Sequence, residues 1–199
     1  MGGVGDDAGG TSPAISIRPA LESDRTRLEQ LIVASARALS RGYYTDAETE
    51  AAITHVFGVD TDLVTDGSYM VVLDGAAIVG CGGWSRRKTL FGGDRYAART
   101  PGWLDPAIDA ARIRAFFIAP SHARRGVGAL LLAACETAAA AAGFGRTALM
   151  STLPGVPFYA RHGYVAATAT DLDLGGIAVK FVPMTKELLP KRYRTLAFV

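Results

Sequence analysis

The segment from Arg124 to Gly128 carries residue types that can bind a phosphate-bearing ligand. An alanine- and leucine-rich stretch follows it and predicts a helix that extends to Ala142, so the segment lies at a helix N-terminus. The first N–H groups of a helix lack internal partners and carry partial positive charge. Gly126 and Gly128 let the backbone approach a bulky anion, and the guanidinium groups of Arg124 and Arg125 match phosphate oxygens. A diphosphate therefore fits the chemistry of this segment.

The residues of this segment leave two interpretations open. No lysine in the chain follows a glycine, which excludes a P-loop, and Leu131 stands where the dinucleotide-binding fingerprint has its third glycine. Two glycines before a helix also occur where a helix packs closely on a strand. By themselves, these residues predict either a phosphate ligand or a structural turn.

Two longer motifs resemble those of the GNAT N-acetyltransferase superfamily. The stretch from Arg112 through Pro120 to Leu131 is similar to the acyl-CoA motif of that superfamily. The run from Phe158 to Tyr164 resembles its FYxxxGF/Y segment, and the glycine-rich run at 80–84 lies where its third strand is expected. The resemblance covers residues 15–185, and the order of the predicted elements matches throughout.

The resemblance implies a single α/β domain over residues 14–189, between a disordered tail at 1–13 and a basic tail at 190–199. Its central sheet is mixed and mostly antiparallel, with about seven strands and about four helices. Strands 4 and 5 splay apart at the middle of the sheet, and acyl-CoA inserts between them.

The resemblance also implies direct transfer of an acetyl group from acetyl-CoA to a primary amine. A backbone N–H near Phe117 or Ile118 is expected to meet the oxyanion, and Tyr159 resembles the general acid that protonates the leaving thiolate. Tyr159 also fits the role of a core aromatic residue. The residues expected to bind the rest of the co-substrate are Arg124, Arg125, Gly126, Val127, Gly128 and Ala129.

Three positions depart from the pattern of the superfamily. Ala123 stands where the loop often begins with Arg or Gln, and Pro154 stands where many relatives have Asn. Arg112 occupies the place of a Glu that serves as general base in many relatives, which leaves the base unassigned. The candidate bases in this chain are Glu48, Asp46, Asp105, Asp109 and His122.

The acceptor amine is expected to bind between the first two helices, the 85–109 loop and the last hairpin. The charges near this region are mixed, so acidic and basic acceptors both fit. The side chains expected to contribute are Arg41, Tyr43, Tyr44, Trp84 and Trp103.

Local patterns predict the elements that position these residues, in the order β-α-α-β-β-β-α-β-α-β-β. Ser23 is a predicted N-cap for a helix that ends near Leu39, and a capping box from Thr45 to Glu48 opens the second helix. The dipeptide Asp74-Gly75 predicts a two-residue hairpin turn. A strand is also predicted over residues 164–170.

The composition limits the classes of protein and the kinds of site that the chain can represent. The 199 residues are 49% hydrophobic with a formal charge of +2, which fits one globular domain and argues against nucleic-acid binding by bulk charge. Cys81 and Cys135 have no CxxC spacing, so we expect two buried thiols rather than a disulfide or zinc site. No His or carboxylate spacing indicates another metal site.

No signal peptide or membrane span is visible, and we expect a soluble cytoplasmic domain. The oligomeric state stays open, a homodimer included. Two other functions remain alternatives to the enzyme: a non-catalytic acyl-CoA sensor, which the missing Glu favours, and an interaction domain that merely shares the fold.

Overall fold

The structure, a computed structural model, describes residues 15–188. The predicted tails at 1–13 and 190–199 lie outside the described residues. The described residues form eight strands and five α-helices: β1 (Ile15–Pro19), α1 (Arg25–Leu39), α2 (Asp46–His55), α3 (Thr61–Thr65), β2 (Tyr69–Asp74), β3 (Ala77–Ser85), β4 (Ala111–Ile118), α4 (Val127–Ala141), β5 (Arg146–Thr152), α5 (Val156–Arg161), β6 (Val165–Ala166), β7 (Thr170–Asp173) and β8 (Ala178–Glu187).

All eight strands belong to one sheet, in the order β1-β2-β3-β4-β5-β8-β6, with β7 also paired to β8. Every strand pair in the sheet is antiparallel except β4 and β5, which are parallel. The predicted fold class, a single α/β domain with a mixed and mostly antiparallel sheet, is therefore confirmed.

The element count is slightly higher than the sequence predicts. Helix α3 has five residues, which is too short for a helical period to be recognised. Of the strand predicted at 164–170, only β6 (Val165–Ala166) forms there; β7 begins at Thr170, and the two pair with different parts of β8. Pro183, which has no N–H to donate, stands in β8 between the partners of β6 and those of β7.

Local capping chemistry sets the helix boundaries. The Thr45 hydroxyl accepts the N–H of Glu48 at 3.2 Å, and the Glu48 carboxylate accepts the N–H of Thr45 at 2.8 Å, so the predicted capping box is confirmed. The predicted N-cap Ser23 is wrong. Helix α1 follows a 3₁₀ turn, and its N-cap is Asp24, whose carboxylate accepts the N–H of Leu21 at 2.9 Å.

The hairpin between β2 and β3 turns one residue later than predicted. Asp74 pairs with Ala77, so Gly75 and Ala76 form the turn. Gly75 adopts a positive φ of 58°, which suits the first position of a tight hairpin turn.

Four clusters of buried apolar residues pack against the sheet, one on one face and three on the other. Helices α1, α2 and α3 cover one face, and α4 and α5 cover the other. Cys81 and Cys135 are free and buried, and burial raises the pKa of each thiol to about 12. Within residues 15–188, no helix has both the length and the apolar character that crossing a membrane requires.

Candidate functional site

Strands β4 and β5 separate at the middle of the sheet. They pair only at their first residues, Ala111 with Thr147 and Arg112 with Ala148. The rest of β4 (113–118) and the rest of β5 (149–152) have no ladder between them, and we call the space between these two segments the splay. Because unpaired strand edges expose N–H and C=O groups, the splay can accept an extended ligand.

A bulge in β4 lies beside the splay. Gly83 pairs with Arg114 and Cys81 with Phe117, so the single residue Gly82 of β3 faces two residues of β4. One of these two, Ala115, has a φ of +54°, a left-handed conformation that costs about 1–2 kcal/mol for a residue with a Cβ.

The bulge needs a glycine on the neighbouring strand. A Cβ at Gly82 would lie 2.3 Å from the ring of Phe116, so only glycine leaves room for this ring. The glycine at position 82 and the packing of the Phe116 ring are therefore both consistent with a bulge in β4.

The bulge determines which amide of β4 can serve the splay. Successive N–H groups of an antiparallel strand point to alternate sides. Phe117 pairs with Cys81 of β3, so its N–H faces β3, and the N–H of Ile118 donates to the Ser35 hydroxyl at 3.2 Å. The Ile118 amide therefore already has an acceptor, and by the same alternation we expect the N–H of Phe116 to point away from β3, toward the splay. A sequence pattern does not reveal this because it does not reveal the bulge.

The residues predicted to bind a diphosphate form a loop, Ala123–Gly128, at the start of α4; we call it the phosphate loop. Arg124 and Gly126 both have positive φ, 63° and 85°. The first hydrogen bond of the helix joins the N–H of Leu130 to the carbonyl of Gly126 at 3.0 Å. The N–H groups of residues 127–129 therefore have no partner within the helix and can bind an anion.

The two arginines of the phosphate loop are exposed. Within residues 15–188 neither forms an ion pair with a carboxylate. A cavity of about 260 Å³ lies beside the loop, and Arg125, His122 and Leu130 are among its lining residues. The loop thus combines free amides, two positive charges and open space.

Tyr159 of α5 lies on the α4 side of the splay. Its ring is 6.3 Å from the ring of Phe116 and 5.0 Å from that of Phe158, measured between centroids. Burial raises the pKa of its phenol well above the ordinary value, so the hydroxyl stays protonated at neutral pH. No hydrogen bond joins this hydroxyl to another residue of the range 15–188.

The opposite face of the splay carries only one of the five predicted acceptor contacts. The hydroxyl of Tyr44 accepts the N–H of Leu153, just after β5, and donates to the carbonyl of Lys180. Trp84 and Trp103 do not lie there. Trp84 packs on Phe144 near the paired end of β4, and Trp103 is 53% exposed.

The other two predicted contacts lie at the surface. Arg41 and Tyr43 are both exposed in the turn between α1 and α2. Besides Tyr44, the cluster on this side of the sheet contains five aromatic residues whose rings contact one another in series: Phe57, Phe91, Tyr96, Phe117 and Phe181.

Each predicted general base already has a local role or a surface position. The carboxylate of Glu48 caps α2, which lowers its pKa, and Asp46 is exposed in the first turn of that helix. Asp105 and Asp109 accept N–H groups within their own turn. His122 contacts Asp74 on the hairpin side of the phosphate loop.

Two further observations concern metal binding and Arg112, which stands where a Glu is expected. The part of the chain from 15 to 188 contains no group of three or more His, Cys, Asp or Glu residues that could hold a metal ion. Arg112 has a buried Nε without a hydrogen-bond partner among the same residues, and burial lowers its pKa.

Comparison with known proteins gives consistent matches. Residues 60–188 match the family model of the acetyltransferase (GNAT) domain. The chain is 30% identical over 115 residues to the uncharacterized N-acetyltransferase YjcF of Bacillus subtilis (strain 168). The aligned region covers 57% of this chain and 68% of that protein.

Solved structures share the fold. A GCN5-related N-acetyltransferase from Rhodopseudomonas palustris is similar with a TM-score of 0.65 at 20% identity, over 89% of this chain and 97% of that one. The PaiA N-acetyltransferase from Thermoplasma acidophilum, solved in complex with coenzyme A, is similar with a TM-score of 0.58 at 16% identity, over 88% and 99%.

Proposed function

Because the chain belongs to the GNAT acetyltransferase family, we propose that it transfers an acetyl group from acetyl-CoA to a primary amine by direct attack. The family predicted from the two sequence motifs is confirmed, and acetyl transfer is the class of reaction. Acetyl-CoA as the co-substrate fits membership of this family. What we propose is the primary amine as acceptor, the residues of the site and the order of the chemical steps.

The phosphate loop supports binding of the CoA diphosphate. The free N–H groups of Val127, Gly128 and Ala129 would donate to its oxygens, and the helix dipole of α4 favours negative charge at this end. Arg124 and Arg125 would add charge-assisted hydrogen bonds, which compensate for Ala123 at the first position of the motif.

The observation that carries the proposal is the packing of Phe116 of β4 against Tyr159, with ring centroids 6.3 Å apart, next to the bulge. The bulge and the alternation of amides along β4 support a Phe116 N–H that points away from β3, toward the splay. In this proposal the Phe116 N–H is the oxyanion donor and the Tyr159 hydroxyl the proton donor, and an inserted thioester would lie between the strands beside both.

The reaction follows from these positions. The amine nitrogen attacks the thioester carbon, and the negative charge that develops on oxygen is stabilised by the Phe116 N–H. The C–S bond breaks as the amide forms, and the Tyr159 hydroxyl gives its proton to the departing sulfur. The proton that the amine loses passes to solvent, and Tyr159 regains a proton from solvent before the next turnover.

Calorimetry tests the binding half of the proposal. We expect CoA and acetyl-CoA to bind the protein, and the double variant Arg124→Ala, Arg125→Ala to bind about tenfold more weakly because two phosphate contacts are lost. Arg86→Ala is a matched control, since it removes an exposed arginine that stacks on Trp103. The absence of any heat with wild type at millimolar CoA contradicts the proposal.

A turnover assay distinguishes the enzyme from the alternative function, a non-catalytic acyl-CoA sensor. The sensor is favoured by the candidate general bases, each of which has a local structural role or lies at the surface. The protein is incubated with acetyl-CoA and a panel of primary amines that includes amino acids, polyamines, arylalkylamines and lysine peptides. Release of free thiol together with a mass increase of one acetyl group on an amine supports the enzyme. Binding of acetyl-CoA without acetylation of any amine supports the sensor.

A further inference from the structure

The peptide bond between Ala115 and Phe116 is hydrogen-bonded at its carbonyl end. The hydroxyl of Tyr69, a residue of β2 with no exposed surface, lies 3.3 Å from the Ala115 carbonyl oxygen and 3.3 Å from Cys81 Sγ, so its proton is shared between these two acceptors. The N–H of the same peptide unit is that of Phe116, which the alternation of amides along β4 assigns to the side of the splay.

A peptide unit is planar, and its C=O and N–H point in opposite directions. A hydrogen bond that holds the Ala115 carbonyl toward Tyr69 therefore holds the Phe116 N–H away from Tyr69 and toward the splay. Hydrogen bonds that share a peptide unit also polarise each other, so donation to the carbonyl strengthens the N–H as a donor.

The residue before this peptide is held from the same side of the sheet. Arg114 is 2% exposed, and its Nη2 donates to the carbonyl of Gly92 at 2.9 Å and lies 2.5 Å from Asp60 Oδ2. The other oxygen of Asp60 accepts from Arg99 at 3.0 Å. Because Asp60 immediately precedes α3, this pair ties the bulge to the helical layer.

We propose that Tyr69 is a positioning residue for acetyl transfer, which orients and polarises the Ala115–Phe116 peptide, and that the Arg114–Asp60 pair holds the adjoining residue in register. The left-handed φ of Ala115 requires such support, since the strand would otherwise relax toward regular pairing. This inference rests on the proposed function, because it assigns the Phe116 N–H to the thioester oxygen.

The infrared carbonyl band of bound [1-¹³C]acetyl-CoA measures this hydrogen bond directly and needs no acceptor amine. In wild type we expect the band to move to lower frequency than in free acetyl-CoA. In Tyr69→Phe, which removes only a buried hydroxyl, we expect this shift to shrink while CoA affinity by calorimetry stays unchanged. A buried tyrosine with a purely structural role would lower stability without moving the band.

Tyr164→Phe is the matched control. Tyr164 is buried and its hydroxyl is 2.9 Å from that of Thr147, so the variant loses an equivalent hydrogen bond away from the bulge. We expect it to retain the wild-type band. With any amine that is turned over, Tyr69→Phe should lower kcat by roughly tenfold to a hundredfold at unchanged KM for acetyl-CoA.

A second variant covers the case in which Tyr69→Phe does not fold. Asp60→Asn removes the charge that faces Arg114 and should weaken the same band shift, whereas Asp62→Asn, which contacts Arg99 but not Arg114, should not. Wild-type protein that does not bind acetyl-CoA overturns the proposed function and this inference together. Binding with the same band in wild type, Tyr69→Phe and Asp60→Asn overturns this inference alone.

Discussion

His122 Nε2 lies 3.0 Å from Asp74 Oδ2, which ties the turn before the phosphate loop to the end of β2. The other ring nitrogen of His122 is 2.9 Å from the Ser121 hydroxyl, so both nitrogens have partners. The loop is therefore restrained by the hairpin before any ligand binds, and this restraint lowers the entropy that ligand binding must remove.

Loss of this restraint should weaken CoA binding. For Asp74→Ala we expect an affinity lower by about threefold to tenfold, equivalent to about 1 kcal/mol for one hydrogen bond. The measurement is calorimetry with CoA. Asp173→Ala provides the comparison, because Asp173 also ends a hairpin strand and accepts an N–H, that of Gly176, but lies on β7. Equal affinities for the two variants would show that the His122–Asp74 contact does not shape the loop.

The positive φ of Gly126 should matter more for stability and CoA binding than the absence of a side chain at this position. No atom lies within 4 Å of a Cβ placed there, yet its φ is +85°. We expect Gly126→Ala to destabilise the fold by about 1 kcal/mol and to weaken CoA binding, because a left-handed conformation is costly for alanine. Gly145→Ala is matched in open space but has no positive φ, so it should change neither quantity. Thermal unfolding and calorimetry measure both effects, and an unaltered Gly126→Ala protein would contradict the argument.

Replacement of Tyr159 by phenylalanine should affect turnover and spare binding. We expect Tyr159→Phe to lower kcat by roughly 10²- to 10⁴-fold with unchanged CoA affinity, because only the proton donor is removed. Steady-state kinetics with an amine from the panel provide the test. An unchanged kcat would leave Tyr159 a packing residue between Phe116 and Tyr164.

The pH dependence of wild-type kcat gives an independent test of the same assignment. Burial raises the pKa of the Tyr159 phenol above its ordinary value, so the proton donor stays protonated throughout the neutral and mildly alkaline range. We therefore expect no loss of kcat from deprotonation of this group below about pH 10. A basic limb near pH 8 that disappears in Tyr159→Phe would contradict the raised pKa.

Asp24 should contribute to stability in a way that depends on pH. Its carboxylate is buried, and hydrogen bonds from Arg18, the Leu21 N–H and Arg27 hold its pKa well below the usual range. A lowered pKa stabilises the fold fully above the unfolded value of about 4 and progressively less as the pH falls below it. We expect Asp24→Asn to cost about 2–4 kcal/mol at pH 7 and markedly less near pH 2. Urea unfolding at the two pH values measures the difference, and an equal cost at both would contradict it.

Interactions within a few residues were predictable from the sequence. The capping box of Thr45 and Glu48 and the glycine–arginine loop before α4 all appear where the pattern predicts them. The same holds for the family, because its motifs consist of neighbouring residues. Such features depend on backbone geometry over one turn, which side-chain types encode directly.

Only the tertiary structure decided which amide of β4 faces the splay. The bulge depends on Gly82 and the Phe116 ring, which belong to different strands, and the Tyr69 hydroxyl reaches a carbonyl 46 residues away. For the same reason the sequence does not show that Trp84 packs on Phe144 or that Asp60 faces the buried Arg114, because each pair is far apart along the chain. A one-residue shift in strand pairing reverses the side to which every later amide points, and strand pairing is set by packing between distant segments rather than by local residue types.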